Sequence, residues 1–163
     1  RRYLGGGDVE NGWRSDPRIN RIVMIAPPNH GSRTATKWSE RSLFKTLFGQ
    51  SGRQLGLDWE DVEKKLATPN TEFGIIAGGE GNDAGFSRGL PGDDDGRITV
   101  ATTRLAGATD FVVVPAIHEF IANDSRVFEY TLRFLKDGYF ISPEERKPIK
   151  PKTVAGRALP GNR

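Results

Sequence analysis

DFVVVP (Asp110–Pro115), and behind it SRVFEYTLRFLKDG (Ser125–Gly138), is the stretch that decides the fold class. A short run of β-branched residues stopped by proline reads as a buried strand, because proline supplies no amide to the ladder. The second part reads as a helix over Ser125–Asp137. Asp124 stands ready to cap its first turn, Val127, Tyr130, Thr131, Phe134 and Leu135 share one stripe, and Gly138 ends it.

Working outward, two more runs read as buried strands. Asn20–Ala26 (NRIVMIA) is halted by Pro27-Pro28, and Phe73–Gly78 (FGIIAG) is halted by glycine. A further short run, Gly96–Val100, follows a long Gly- and Asp-rich loop. Thr36–Phe48 and Asp58–Ala67 carry helical spacing, the first with Leu43, Phe44, Leu47 and Phe48 on one face. Short buried strands separated by helices specify an α/β architecture with a mostly parallel sheet and helices on its faces. Such a sheet gathers its chemistry in the loops after the strand C-terminal ends.

Composition narrows the function classes. The chain has 163 residues, no Cys, one Met and two His. Disulfide frameworks, thiolate zinc sites and thiol nucleophiles are thereby excluded, and little remains for a transition-metal site. No run of about 18 uncharged apolar residues reads as a membrane span, and Arg1-Arg2-Tyr3-Leu4 carries no apolar stretch of the kind a secretory signal needs. The net charge of +3 is unevenly spread. Residues 1–137 hold 18 basic and 19 acidic groups, whereas 138–163 hold six basic residues against Glu144 and Glu145. That tail is rich in proline and poor in apolar periodicity, so 141–163 is expected to be disordered, and no nucleic-acid partner is implied.

Three loops behind strand-like runs carry polar residues: Asn29-His30-Gly31-Ser32, Asp93-Asp94-Asp95-Gly96, and His118 within PAIHEF. A carboxylate and a later imidazole on neighbouring loops are two parts of a charge-oriented base: the carboxylate fixes the tautomer while the ring accepts a proton from a hydroxyl.

RIVMIAPPNHGS (Arg21–Ser32), PGDDDGRITVATTRLAGATDFVVVPAIHEF (Pro91–Phe120) and RVFEYTLRFLKDGYF (Arg126–Phe140) together resemble the α/β-hydrolases, in particular the lipase- and esterase-like members. The resemblance covers most of the chain outside the tail. It implies that Asp95, directly before Gly96, is the triad acid and His118 the base, with Asp93 and Asp94 the lesser candidates for the acid. It implies a serine carboxylic-ester hydrolase acting on a small ester or lipid, without cofactor or metal. In that family the nucleophile sits on a GxSxG elbow in the order Ser, Asp or Glu, His. Arg1–Leu4 then looks like the remainder of the helix behind the elbow, which makes residues 1–140 the C-terminal part of an α/β-hydrolase domain, with the serine upstream of Arg1 and the isolated chain expected to be inactive. Segment 33–72, with Trp38, Phe44, Phe48 and Trp59, is either a cap over the site or two packing helices.

Competing readings attach to particular residues. Gly85-Phe86-Ser87-Arg88-Gly89 matches GxSxG, and Ser87 precedes Asp95 and His118, but neither a strand before it nor a helix behind it is readable. Ser51 lacks the final glycine of the motif. His30 precedes the acid and so fails the order. Asp93–Asp95 offers oxygens for Ca²⁺, without the spaced ligand series that cation needs. At the level of the whole chain, the alternatives to an ester hydrolase are a hydrolase-like interaction module without a nucleophile, and an acyl transferase sharing the triad.

Overall fold

A computed structural model describes residues 18–31, 68–69 and 71–150. Strands β1 (Arg21–Ile25), β2 (Glu72–Gly78) and β3 (Asp110–Val114) form one sheet in the order β1-β2-β3. Both pairings are parallel, with Met24 opposite Ile75 and Ile76 opposite Val112. Helix α1 (Val100–Thr103) lies between β2 and β3, and α2 (Ser125–Asp137) closes the order. The partial α/β fold follows from the three apolar runs.

Alternation along β2 sorts the core into two layers. Phe73, Ile75 and Ala77 face one side with Met24, Leu105, Ala108 and Phe111. Ile76 faces the other, where Val112, Val114, Val127, Phe134 and Phe140 pack beneath α2. A strand buried on both faces reads as a continuous apolar run, which is why EFGIIAG shows no polar alternation. Phe134 and Phe140 stack with ring centroids 4.8 Å apart, joining α2 to the chain just beyond it.

The ends of α2 match the expected capping. The Asp124 side chain accepts a 2.9 Å hydrogen bond from the Arg126 amide, and Gly138 turns left-handed at φ 86° with its amide donating to the Phe134 carbonyl. The Arg126 guanidinium, donating a side-chain hydrogen bond to Asp124, holds that carboxyl down at about 2. Arg21 donates to the Leu135 and Lys136 carbonyls while its Nε donates to Glu72 at 2.6 Å, so a cation meets the negative end of α2 and ties it to β1 and β2.

The sequence reading needs adjusting in four places. Gly96–Val100 makes a single bridge, Asp94 to Thr99, and then enters α1, because the Thr99 hydroxyl caps the Thr102 amide and starts a helical turn. Strand β1 stops one residue before Ala26, which adopts φ 43°, a region non-glycine residues rarely occupy. Leu135, placed on the inner stripe, is exposed, and Val127 and Phe134 carry the burial of α2.

The fourth difference concerns the tail. Residues 141–150 do not trail away: Ile149 and the 107–108 turn exchange backbone hydrogen bonds, Gly107 N–H to Ile149 at 2.9 Å and Ile149 N–H to Ala108 at 2.9 Å. Asp110 anchors this return. Its buried carboxylate accepts from the amides of Phe111 (2.8 Å), Lys147 (2.9 Å) and Phe140 (2.8 Å). Three main-chain donors offset the desolvation that composition alone would leave uncompensated. The expected helices at 36–48 and 58–67, the cap question over 33–72 and residues 151–163 lie outside the described residues.

Asp110→Ala is expected to leave those three amides without their acceptor and to lower stability by about 3 kcal/mol or more. Denaturant titration together with limited proteolysis checks it, with new cleavage expected between 141 and 150. Unchanged stability and unchanged proteolysis would show that the return segment is held by other contacts.

Candidate functional site

Because all three strands run the same way, the loops behind Ile25, Gly78 and Val114 emerge along one rim of the sheet. The loop behind β2 begins with the Gly79 amide donating to the Val114 carbonyl at 3.1 Å, which draws it toward β3. Gly78 permits the convergence: a Cβ there would lie 2.8 Å from Asp95 Cβ and 2.7 Å from the Ala116 carbonyl oxygen. That backbone has no room for a side chain.

The three consecutive aspartates at the end of this loop have three different partners. Asp93 accepts from the amides of Glu80 (2.8 Å) and Gly81 (2.9 Å), closing the loop on its own start. Asp94 is buried and accepts from Gly96 (2.6 Å) and Ser87 (3.3 Å). Burial pushes its carboxyl above the usual aspartate value; the two amides oppose the shift and the neighbouring Asp95 and Asp93 charges add to it. Asp95 turns toward the next loop.

Asp95 Oδ1 accepts from the amides of Arg97 (3.0 Å) and Ile98 (2.7 Å), which fixes the plane of the carboxylate. Its Oδ2 lies 2.7 Å from Nδ1 of His118. The same two residues meet a second time through the backbone, where the His118 amide donates to the Asp95 carbonyl at 2.8 Å. A third link joins their neighbours, the ion pair between Arg97 and Glu119, and the Arg97 hydrogen bond holds the Glu119 carboxyl below its ordinary value. A carboxylate can only accept, so Nδ1 carries the hydrogen and Nε2 is left to take a proton. The Asp95 side chain is 0% exposed and that of His118 34%, so the carboxylate is sealed while the imidazole reaches solvent.

Beside His118 lies a pocket of about 380 Å³, lined among the described residues by Ile25, Ala26, Pro28, Ile98, Ile121 and Ala122. All three rim loops contribute. The loop from β1 is braced by Asn29, whose Nδ2 donates to the Thr103 carbonyl at 2.7 Å, and by the His30 amide donating to Thr102. Together these contacts tie it to α1.

The other candidates sit elsewhere in the hydrogen-bond pattern. The Ser87 hydroxyl accepts from the Gly89 amide at 3.2 Å, on a loop where no strand runs directly into Ser87 and no helix starts directly behind it. The strained elbow that would expose a nucleophile is therefore missing around Ser87. His30 is exposed on the β1 loop. Among the described residues no group of three or more His, Cys, Asp or Glu could hold a metal ion, and no helix is long and apolar enough to cross a membrane. Ser51 lies outside the described residues. Sequence reading named Asn29 as a polar loop residue and Gly78 as a strand end without their bracing and close-approach roles, and it overlooked the left-handed Ala26 and the Arg97–Glu119 pair. The Arg97–Glu119 pair had a sequence signal, since each charge lies within two residues of Asp95 or His118.

No family model matches the chain, and no curated protein does. Among solved structures, the lipase BlEst2 of Bacillus licheniformis in its mature form is similar, with a TM-score of 0.50 and 20% identity. The match covers 71% of this chain and 54% of the lipase, so the chain spans about half the length of that protein. At this identity the likeness bears on the fold alone, and it supports an α/β-hydrolase-like one.

The buried Asp94 carboxyl gives a pH test of the loop. A carboxyl raised on folding contributes most stability below its ordinary value of 3.8, and that contribution is lost as pH rises through the raised value. Asp94→Asn removes the titration while one amide oxygen still faces Gly96. The stability of the protein relative to Asp94→Asn is therefore expected to fall as pH rises from 3.8, measured by denaturant midpoints across pH. A difference that rises over this range would contradict the assignment.

Proposed function

We propose that the protein is an ester hydrolase of the lipase and esterase kind in which His118 is the general base and Asp95 orients it. The contact that carries this reading is the 2.7 Å pair between Asp95 Oδ2 and His118 Nδ1, at the rim of a parallel sheet and beside an apolar pocket. The hydroxyl nucleophile is supplied from outside the described residues, among which no hydroxyl hydrogen-bonds to His118. The BlEst2 likeness supports the fold in which such a dyad operates, and the residue roles rest on the geometry.

In this mechanism the hydroxyl oxygen attacks the ester carbonyl carbon as its proton passes to Nε2. Asp95 stabilises the imidazolium without taking the proton itself. Collapse of the tetrahedral intermediate breaks the bond to the leaving oxygen, which receives the proton from Nε2. Water then attacks the acyl-enzyme, giving one proton to Nε2, and the released nucleophile oxygen recovers it. The balance is ester plus water to acid plus alcohol.

Two substitutions in the full-length gene product test the reading. His118→Ala is expected to lower kcat/KM for p-nitrophenyl butyrate by about 10³-fold or more, and Asp95→Asn, which disturbs the tautomer, by a similar order. A fluorophosphonate probe is expected to label one hydroxyl residue in the parent protein and to label it far more slowly in His118→Ala. Equal labelling of both proteins would remove His118 from the role of base, whereas no labelling with no hydrolysis would reject the enzyme and favour an interaction module without a nucleophile.

A further inference from the structure

Each half of the dyad has a charged neighbour that the reaction above does not use: Arg97 stands two residues behind Asp95, and Glu119 directly follows His118. Their side chains meet across the gap between the loop behind β2 and the loop behind β3, with Nε and Nη2 of Arg97 both on Oε1 of Glu119. Each partner is also fastened to the dyad through the main chain. The Arg97 amide donates to Asp95 Oδ1 at 3.0 Å. Glu119 lies inside the turn that the Ile121 amide closes on the Ile117 carbonyl at 3.0 Å, next to the His118 amide that donates to the Asp95 carbonyl at 2.8 Å.

With side chains 48% and 45% exposed, such an ion pair adds little to stability. What it adds is geometric. The Oδ2 to Nδ1 contact and the bond from the His118 amide to the Asp95 carbonyl join the two loops at two points. Bodies joined at two points still rock about the line through them, and that rocking keeps Nδ1 bonded while it swings Nε2. A third contact off the line removes the motion, and the Arg97–Glu119 pair stands out in solvent, away from the wholly buried Asp95 carboxylate. We propose that Arg97 and Glu119 are positioning residues whose ion pair straps the two loops together and holds Nε2 of His118 in one direction; the inference rests on the Asp95–His118 reading above. Asp95 fixes the tautomer and the strap fixes the aim. Proton transfer depends on both, because a misdirected nitrogen is a poorly placed base.

The test compares the full-length gene product with Arg97→Glu, Glu119→Arg and the double variant that carries both changes, using p-nitrophenyl butyrate. Each single reversal sets like charges face to face and is expected to lower kcat by about fivefold or more. His118 serves acylation and deacylation alike, so both steps slow together and KM stays within about twofold. The double variant restores opposite charges and is expected to return kcat to within about twofold of the parent. Both side chains are exposed, so the denaturant midpoints of all four proteins are expected to coincide, and the ¹⁵N shifts of labelled His118 to report a hydrogen on Nδ1 in each. Parental kcat in both single variants, or a loss that the double variant does not reverse, overturns the strap and leaves the dyad reading in place. A loss matched by a fall in the midpoint or by a change of tautomer overturns it too, since the pair would then hold the fold or the hydrogen bond and not the aim of Nε2. A parent that neither hydrolyses the ester nor reacts with a fluorophosphonate brings down the dyad reading, and the strap with it.

Discussion

Parallel strand pairing is the constraint from which the rest of the molecule follows. Neighbouring parallel strands cannot be joined by a tight turn, so each connection must travel from one end of the sheet back to the other. All three strands consequently end along the same rim, and 26–31, 79–99 and 115–124 are brought together whatever their own sequences prefer. The same constraint requires cover on both faces. Phe134 and Val127 of α2 supply it on one side, and Leu105, Ala108 and Ile149 on the other. The return of the tail along 107–110 thus lays the half-buried Ile149 against the core.

Three adjacent aspartates at that rim show how one residue type divides into separate tasks. Each carboxylate first meets main-chain donors, because a buried or half-buried oxygen without a partner is costly. Asp93 and Asp94 each turn both oxygens to loop amides, and neither is hydrogen-bonded to His118. Asp95 uses one oxygen on the amides of Arg97 and Ile98 and keeps the other for His118. The choice among the three depends on the bridge from Asp94 to Thr99, which sets the direction of the turn. No property of an aspartate in isolation reveals it.

What the sequence made legible divides along the same line. Periodicity and proline placement were enough for β1, β2, β3 and α2, because burial on a sheet or beneath a helix leaves a repeating pattern. The residues Asp124 and Gly138 marked the ends of α2 because capping is local chemistry. Asp95 and His118 were identified through a family resemblance and the order of residues, and their contact is a tertiary fact that spacing alone could not supply. Gly78 was out of reach for a different reason: the requirement for no side chain comes from Asp95 and Ala116, 17 and 38 positions away. Reading Gly96–Val100 as a strand-like run failed because the Thr99 hydroxyl starts a helical turn, and a single side-chain hydrogen bond outweighed β-propensity.

In the proposed hydrolase, the unequal exposure of Asp95 and His118 would divide the work between them. A group that only orients must hold one geometry and be kept from competing waters, which the 0% exposed Asp95 achieves with two amides on its far oxygen. A group that carries a proton must reach substrate and then water, and the 34% exposed His118 lines the pocket. Were the exposures reversed, solvent would compete for the carboxylate and the imidazole would have no route to a substrate. The Asp95 carbonyl reinforces this division: its bond to the His118 amide holds the backbone of the base in register with the acid, so that neither loop can shift without the other. The arrangement fixes one nitrogen and frees the second, which is the condition under which a single imidazole can accept a proton in one step and return it in the next.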